Sequence, residues 1–107
     1  MKRSRLHRKP PGKRTGQDDR YLTWLRKQPC IICESFRYVE AAHVGARGLG
    51  QTCPDRQAVP LCPAHHRTGV SAHHVLGKAF WRFHGISREG IIAVLVERYA
   101  AEVRKAA

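Results

Sequence analysis

The stretch DRQAVPLCPAHHRTG occupies residues 55–69 and joins a short apolar run to a pair of potential metal ligands, Cys62 and His65. Upstream, residues 30–33 read CIIC and supply a second pair, Cys30 and Cys33. Two ligands separated by two residues lie on one tight turn and converge on one ion, and two such pairs supply the four ligands of a closed tetrahedral site. The spacing therefore predicts a structural zinc ion bound by these four side chains.

Three other uses of the cysteines are open at this stage. Scattered thiols in an apolar core are common, but they need no such spacing. A redox Cys-x2-Cys motif normally opens a helix after a strand in a thioredoxin-like unit, and no such unit is visible in the pattern. Cys53 could also replace His65 as the fourth ligand, although the turn spacing favours His65.

The composition indicates one small basic domain. The chain has 107 residues, which can bury only a modest core, so a structural metal would add folding free energy. Its 20 Lys and Arg against 8 Asp and Glu give a formal charge of +12. That excess indicates a polyanionic partner, nucleic acid before an anionic membrane. No apolar run is long enough for a transmembrane helix, and the N-terminus lacks a signal-peptide pattern, so we expect a cytoplasmic protein without a membrane role.

Much of the positive charge lies at the N-terminus. Residues 1–16 hold seven basic residues, no acidic residue and several Pro and Gly. This composition predicts a disordered arm, and residues 17–107 form the domain. The arm is interpreted as a phosphate-tracking tail, with a solvated leader that only aids solubility as the alternative. Its basic residues are Lys2, Arg3, Arg5, Arg8, Lys9, Lys13 and Arg14.

The rest of the pattern predicts a small α+β domain with short elements. Helices are expected over residues 18–27, 78–83 and 87–104, and strands over residues 38–44 and 57–61. The chain is also expected to turn helical from residue 63, with Gly69 as an interruption. A glycine-rich loop covers residues 45–54. In the last helix we predict one core-facing apolar stripe, formed by Ile92, Leu95, Val96, Tyr99 and Val103.

Histidines are numerous, with seven in the chain. His43 ends the first strand, and His66 follows a predicted zinc ligand but faces a different side of the turn. His74 comes eight residues after His66, about two helical turns on, whereas His73 would point about 100° away. A neutral imidazole can accept a proton from water or bind a divalent metal. A lone buried histidine is usually a core residue, so both interpretations stay open for His43 taken alone.

Four stretches together resemble the HNH, or ββα-metal, endonucleases, and in particular the small phage and prophage HNH nucleases with a structural zinc. They cover residues 20–33, 41–51, 55–69 and 74–86, with the string D-x-x-x-V-P-L-C-x-x-H-H as the most specific part. The resemblance implies two antiparallel strands and a helix around one catalytic divalent metal, Mg²⁺ or Mn²⁺, with flanking helices. In the same resemblance Cys30, Cys33, Cys62 and His65 match the structural zinc ligands.

The resemblance also implies roles for the histidines. His43 matches the general base that activates the attacking water, and His66 matches a ligand of the catalytic metal. His74 matches a further histidine that reaches this metal, with His73 as the alternative.

Two positions depart from the HNH pattern. Many HNH enzymes have a metal-binding Asp directly before the base, where this chain has Ala42, so a ligand must come from elsewhere. The middle Asn is also missing, and Gln57 stands near its place. Either Gln57 or Asp55 could orient His43, and Asp55 is also a candidate contact to the metal or to a bound water. Arg47 and Arg67 are interpreted as phosphate clamps, with solvated surface charges as the alternative.

The function that the resemblance implies is a metal-dependent DNA endonuclease that hydrolyses phosphodiester bonds. Nicking with low sequence specificity is expected, because the chain has one active site and no evident base-reading element. The resemblance also suggests the cytoplasm of a bacterial host cell, phage recombination or packaging proteins as partners, and a monomer or weak dimer. The alternatives are a non-catalytic zinc module that binds nucleic acid and a small structural RNA-binding protein of the ribosomal type.

Overall fold

The computed structural model describes residues 16–45 and 53–106. This part of the chain forms an α+β domain, as predicted, with a two-stranded antiparallel sheet and four α-helices. The strands are β1 (Glu40–His43) and β2 (Ala58–Leu61), and the helices are α1 (Asp19–Leu25), α2 (His73–Leu76), α3 (Ala79–His84) and α4 (Arg88–Ala106). A 3₁₀ turn (Asp55–Gln57) and a π-helix (Ala64–Thr68) complete the elements.

Two sequence-based predictions fall largely outside the described residues. The disordered arm was placed at residues 1–16, of which the structure describes only Gly16, whose carbonyl accepts a hydrogen bond from the Asp55 N–H (2.9 Å). Arg47 lies outside the described residues. None of the helices in the described ranges combines the length and the apolar character that a transmembrane span requires.

The hairpin of β1 and β2 is the centre of the domain. Glu40 pairs with Leu61 at one end and His43 pairs with Ala58 at the other. Every residue of β2 is buried, which explains its continuous apolar sequence, since a strand covered on both faces needs no polar side. The first strand is shorter than predicted because Tyr38 has φ +55°, which is incompatible with an extended strand.

Helix α1 packs one apolar face into the core. Asp18 caps it, accepting a hydrogen bond from the Tyr21 N–H (3.2 Å). Tyr21 and Leu25 are fully buried. The rings of Tyr21, Trp24 and Tyr99 lie 5.1–5.7 Å apart, so the partly buried Trp24 and Tyr99 pack against the core residue Tyr21.

The segment after Cys62 is a π-helix that Gly69 ends. The Gly69 N–H donates to the carbonyl of Ala64 (2.9 Å), five residues earlier. A Cβ at position 69 would lie 2.3 Å from that carbonyl oxygen, so glycine is required for the close approach. The helical run predicted from residue 63 is therefore interrupted at Gly69, as expected, and helical structure resumes at His73.

Helix α4 begins where it was predicted to begin, but less of its predicted apolar stripe is buried than expected. The Ser87 hydroxyl accepts a hydrogen bond from the Gly90 N–H (3.0 Å) and caps the helix. Leu95 is buried (2% exposed), and Ile92, Val96 and Tyr99 pack against the core. The prediction was wrong for Val103, which is 50% exposed. The apolar periodicity continues beyond the core, and residues 102–106 are all exposed.

Two truncations on α4 test this assignment. Leu95→Ala should lower the free energy of unfolding by about 2–5 kcal/mol, because it leaves a cavity in the core. Val103→Ala should change it by less than about 0.5 kcal/mol, because half of that side chain is already in water. Urea denaturation with zinc present measures both values, and equal losses would contradict the burial described here.

Candidate functional site

Cys30, Cys33, Cys62 and His65 come together in one cluster, the Cys3His group. Their ligand atoms all lie within 4.8 Å of one another. The Sγ atoms of Cys33 and Cys62 are 3.8 Å apart, and His65 Nδ1 lies 3.3 Å from Cys62 Sγ and 3.8 Å from Cys30 Sγ. A zinc–sulfur bond of ~2.3 Å gives a tetrahedron with an edge of about 3.8 Å. The predicted ligands therefore have the spacing to hold a metal ion such as zinc.

Backbone hydrogen bonds form the two turns that carry these ligands. In the first, the Glu34 N–H donates to the carbonyl of Cys30 (2.9 Å), and the Ile32 N–H points at Cys30 Sγ (3.4 Å). In the second, the His65 N–H donates to the carbonyl of Cys62 (3.0 Å). Each turn needs only four residues, which is why the sequence spacing predicted them.

The pKa shifts within the Cys3His group differ in direction from one side chain to the next. Burial would raise the pKa of the Cys30 thiol, but backbone N–H groups of Cys33, Cys62 and Ile32 outweigh it and lower the pKa. Burial raises the pKa of Cys62, with a further contribution from the neighbouring thiols. Burial and the nearby His84 lower the pKa of His65, which favours the neutral imidazole that metal binding requires.

Cys53 is not part of the Cys3His group, although it was an alternative fourth ligand. It is buried and 2% exposed. Within residues 16–45 and 53–106, the Cys3His group is the one set of three or more Cys, His, Asp or Glu side chains that converges in this way. A second closed metal site is therefore not formed by these residues alone.

His43 is held by a buried carboxylate at the end of β1. Its Nε2 lies 2.8 Å from Asp55 Oδ1, and Asp55 is fully buried. The Asp18 N–H donates to the other carboxylate oxygen (2.7 Å) and fixes the Asp55 side chain. Of the two residues proposed to orient His43, Asp55 makes the contact. Gln57 instead packs against Gly45, where an added Cβ would lie 1.9 Å from the Gln57 Oε1.

His66 is held by a second carboxylate, Glu40 at the start of β1. The Nδ1 of His66 lies 2.7 Å from Glu40 Oε1, and the Arg67 guanidinium donates to Oε2 (2.5 Å). Burial would raise the pKa of Glu40, but these two hydrogen bonds outweigh it and lower the pKa. Burial is the main cause that lowers the pKa of His66, so its neutral form is favoured. Arg67, predicted as a phosphate clamp, is thus bound to Glu40.

Glu40 is the site residue that the sequence reasoning missed. The sequence feature that could have identified Glu40 is the two-residue period of a β-strand, which places positions 40 and 42 on the same face. Ala42 occupies the place where the resemblance expects an acidic residue, and the nearest carboxylate on that face is Glu40. The partner of Glu40, His66, lies 26 residues away in sequence, so no local pattern joins the two.

His73 and His74 have different surroundings. The His74 ring lies edge-on to the His66 ring, with centroids 4.6 Å apart. The His73 ring packs against Phe80 (5.2 Å) and Trp81 (5.9 Å) of α3. The structure therefore brings His74 to His66 and places His73 among aromatic side chains.

A cavity of about 750 Å³ lies beside the end of β1. Val44, which follows His43, lines it together with Trp81, Lys78 and Arg88. The Arg88 guanidinium also donates to the carbonyl of Val44 (3.2 Å), which ties the start of α4 to the end of β1. This cavity combines an aromatic surface with two cationic side chains and one carboxylate, that of Glu89, which pairs with Arg88 (2.6 Å).

One comparison with known proteins gives a family. The model of a family described as a protein of unknown function (DUF968) matches residues 3–100. The chain belongs to this family. No curated protein and no solved structure matches the chain. The match spans both turns of the Cys3His group, both carboxylate–histidine pairs and most of α4.

The Cys3His group predicts one metal ion per chain. Cys62→Ser should lose bound zinc and cooperative thermal unfolding, because metal binding contributes folding free energy in a domain of this size. Cys53→Ser is the matched control, since it changes a buried thiol outside the group and should keep one zinc per chain. Elemental analysis of the purified proteins gives the zinc content. Full zinc in Cys62→Ser, or its loss in Cys53→Ser, would contradict the ligand set.

Proposed function

We propose that this protein is a metal-dependent DNA endonuclease of the HNH type that hydrolyses phosphodiester bonds. The observation that carries the proposal is the His43–Asp55 pair at the end of β1 (2.8 Å). An imidazole fixed by a buried carboxylate, and still 27% exposed, is the usual arrangement of a histidine base. The resemblance to HNH nucleases assigns the same histidine to that role.

Asp55 determines which nitrogen of His43 can act. When Nε2–H donates to the carboxylate, the lone pair lies on Nδ1, so Nδ1 is the atom that accepts a proton. His43 would therefore take a proton from water at Nδ1.

His66 and His74 are the side chains that would hold the catalytic divalent metal. With Nδ1 of His66 bound to Glu40, its Nε2 is the donor left for a metal, in the carboxylate–histidine–metal arrangement common in metalloproteins. Two histidines fit an ion that keeps several water and phosphate ligands, rather than a closed protein site. When bound, Mg²⁺ or Mn²⁺ supplies positive charge to the phosphate and to the leaving oxygen.

In the proposed reaction, the oxygen of a water molecule attacks phosphorus while its proton passes to His43 Nδ1. A new phosphorus–oxygen bond forms, the bond to the leaving sugar oxygen breaks, and that oxygen takes a proton from solvent. His43 then returns its proton to solvent. The chain's own contribution is thus one oriented base and the residues that position it.

Charge and the cavity beside β1 support DNA as the substrate. The net charge of +12 favours a polyanion and supports sequence-independent binding to phosphates. Lys78 lines the cavity that Val44, the residue after His43, also lines, and its ammonium group could contact the strand that is cut. One candidate site per chain favours nicking, and phage recombination or packaging proteins remain proposed partners in a bacterial cytoplasm.

The second candidate is a zinc-containing module that binds nucleic acid without cleaving it. The net charge and the Cys3His group support this candidate as well as they support a nuclease. In this alternative, the His43–Asp55 pair only satisfies a buried carboxylate. The two candidates differ in whether His43 is needed for cleavage.

A supercoiled-plasmid assay separates them. With Mg²⁺ or Mn²⁺, the protein should convert supercoiled plasmid to nicked circles. His43→Ala should slow this by about 10²–10⁴-fold, because it removes the base. His43→Gln should be equally slow while an amide can still donate to Asp55, so it controls for folding. Zinc content and melting temperature verify each variant. No cleavage by the unaltered protein, with a salt-sensitive gel shift, would favour the binding module.

Glu40→Gln tests the role of the second carboxylate. The concentration of Mn²⁺ that gives half-maximal nicking should rise about 10–100-fold, because His66 loses the group that orients it. Zinc content should not change. Glu97→Gln is the matched control, since it alters an exposed glutamate of α4 and should leave the Mn²⁺ dependence unchanged. An unchanged Mn²⁺ dependence in Glu40→Gln would remove Glu40 from the site.

A further inference from the structure

Two large aromatic side chains are exposed on the loop between the first metal-binding turn and β1. Phe36 is 68% exposed and Tyr38 is 77% exposed. We call residues 34–39 the knuckle loop. A small domain gains stability by burying such rings, and this chain does bury Tyr21 and Phe80 fully. Exposing two aromatic side chains within three residues therefore indicates a surface that contacts something else.

The knuckle loop is fixed by hydrogen bonds, so it presents these rings in a defined place. Its Ser35 carbonyl accepts from the Cys30 N–H (2.9 Å), and the Ser35 hydroxyl accepts from the Arg37 N–H (3.1 Å). Tyr38 has φ +55°, a conformation that bulky residues rarely adopt. The Cys3His group anchors the start of the loop and the hairpin anchors its end.

A cation beside the two rings favours a nucleic acid as the occupant. Arg37 lies between the rings in sequence, and its guanidinium carbon is 5.9 Å from the centroid of the Tyr38 ring. The one acidic residue of the knuckle loop is Glu34, at its start. Two exposed rings with a cation between them suit a nucleic-acid strand whose bases stack on the aromatics while a phosphate contacts Arg37. An apolar peptide would gain nothing from Arg37.

The bases must be unpaired to use such a surface. In a duplex, each base is covered by its neighbours and its faces are not available to a protein ring. In a single strand the base faces are free, and every base has one, so stacking is tolerant of sequence. This agrees with the low sequence specificity proposed above.

We propose that Phe36 and Tyr38 stack unpaired bases of DNA beside the candidate active site, so that the substrate carries a single-stranded segment. The proposal rests on the proposed function for its choice of DNA as partner. Tyr38 stands two residues before Glu40, so their Cα atoms are at most about 7 Å apart. A DNA strand bound to Phe36 and Tyr38 would therefore lie close to Glu40, the β1 residue that orients His66.

Binding measurements without Mg²⁺ or Mn²⁺ test this proposal. The probes are a fluorescein-labelled 20-nucleotide oligothymidine and a 20-base-pair duplex, titrated at several salt concentrations. The double variant Phe36→Ala/Tyr38→Asn should bind the single strand about tenfold or more weakly, because it loses two stacking rings. Asn tolerates the positive φ at position 38. Duplex binding and the salt slope should change little, because the phosphate contacts remain.

Two controls make the result specific. Phe83→Ala removes an equally exposed ring (66%) from α3 and should keep single-strand affinity. Tyr38→Phe keeps the ring and should also keep it. The proposal is overturned if the double variant keeps its affinity for the single strand, or if it loses as much affinity for the duplex. It is also overturned if light scattering shows a dimer for the unaltered protein and a monomer for the double variant alone. Because no cleavage is measured, these outcomes are independent of whether the protein proves to be a nuclease.

Discussion

The convergence of four ligand atoms in the Cys3His group is the constraint on which the rest of the domain depends. It joins a turn that follows α1 to a turn that follows β2, about 30 residues apart. The same two regions are also joined by a backbone hydrogen bond from the Ile31 N–H to the carbonyl of Pro60 (3.1 Å). A core this small would gain both folding free energy and a fixed orientation of the hairpin from a metal ion bound at that junction.

Both histidines of the candidate active site depend on carboxylates for their orientation. Asp55 is fully buried, and a buried carboxylate requires hydrogen-bond partners to offset its desolvation. The partners that satisfy it, His43 and the Asp18 N–H, thereby become fixed. Glu40 does the same for His66 at a less buried position. The contacts that satisfy these carboxylates also determine which nitrogen of each imidazole is left to react. The stability of the fold and the proposed chemistry are therefore coupled.

Local patterns predicted much of the fold and part of the candidate site. Helices α1 and α4 lie close to their predicted ranges, because their caps and apolar faces involve residues only three or four positions apart. The predicted apolar stripe on α4 was wrong at Val103, because apolar periodicity indicates which face of a helix is buried but not where the core ends. Glu40 was missed for a related reason, since its role depends on contact with His66, which lies 26 residues later in the sequence.

The sequence by itself determined the α+β class, the basic character and the four ligands of the Cys3His group. Each of these is encoded in composition, in apolar periodicity or in the geometry of a four-residue turn. Only the tertiary structure decided that Asp55 rather than Gln57 holds His43, that His74 rather than His73 meets His66, and that Phe36 and Tyr38 face solvent. These outcomes depend on how the chain reverses after Gly69 and where the hairpin packs, and such long-range contacts leave no periodic signal in the sequence.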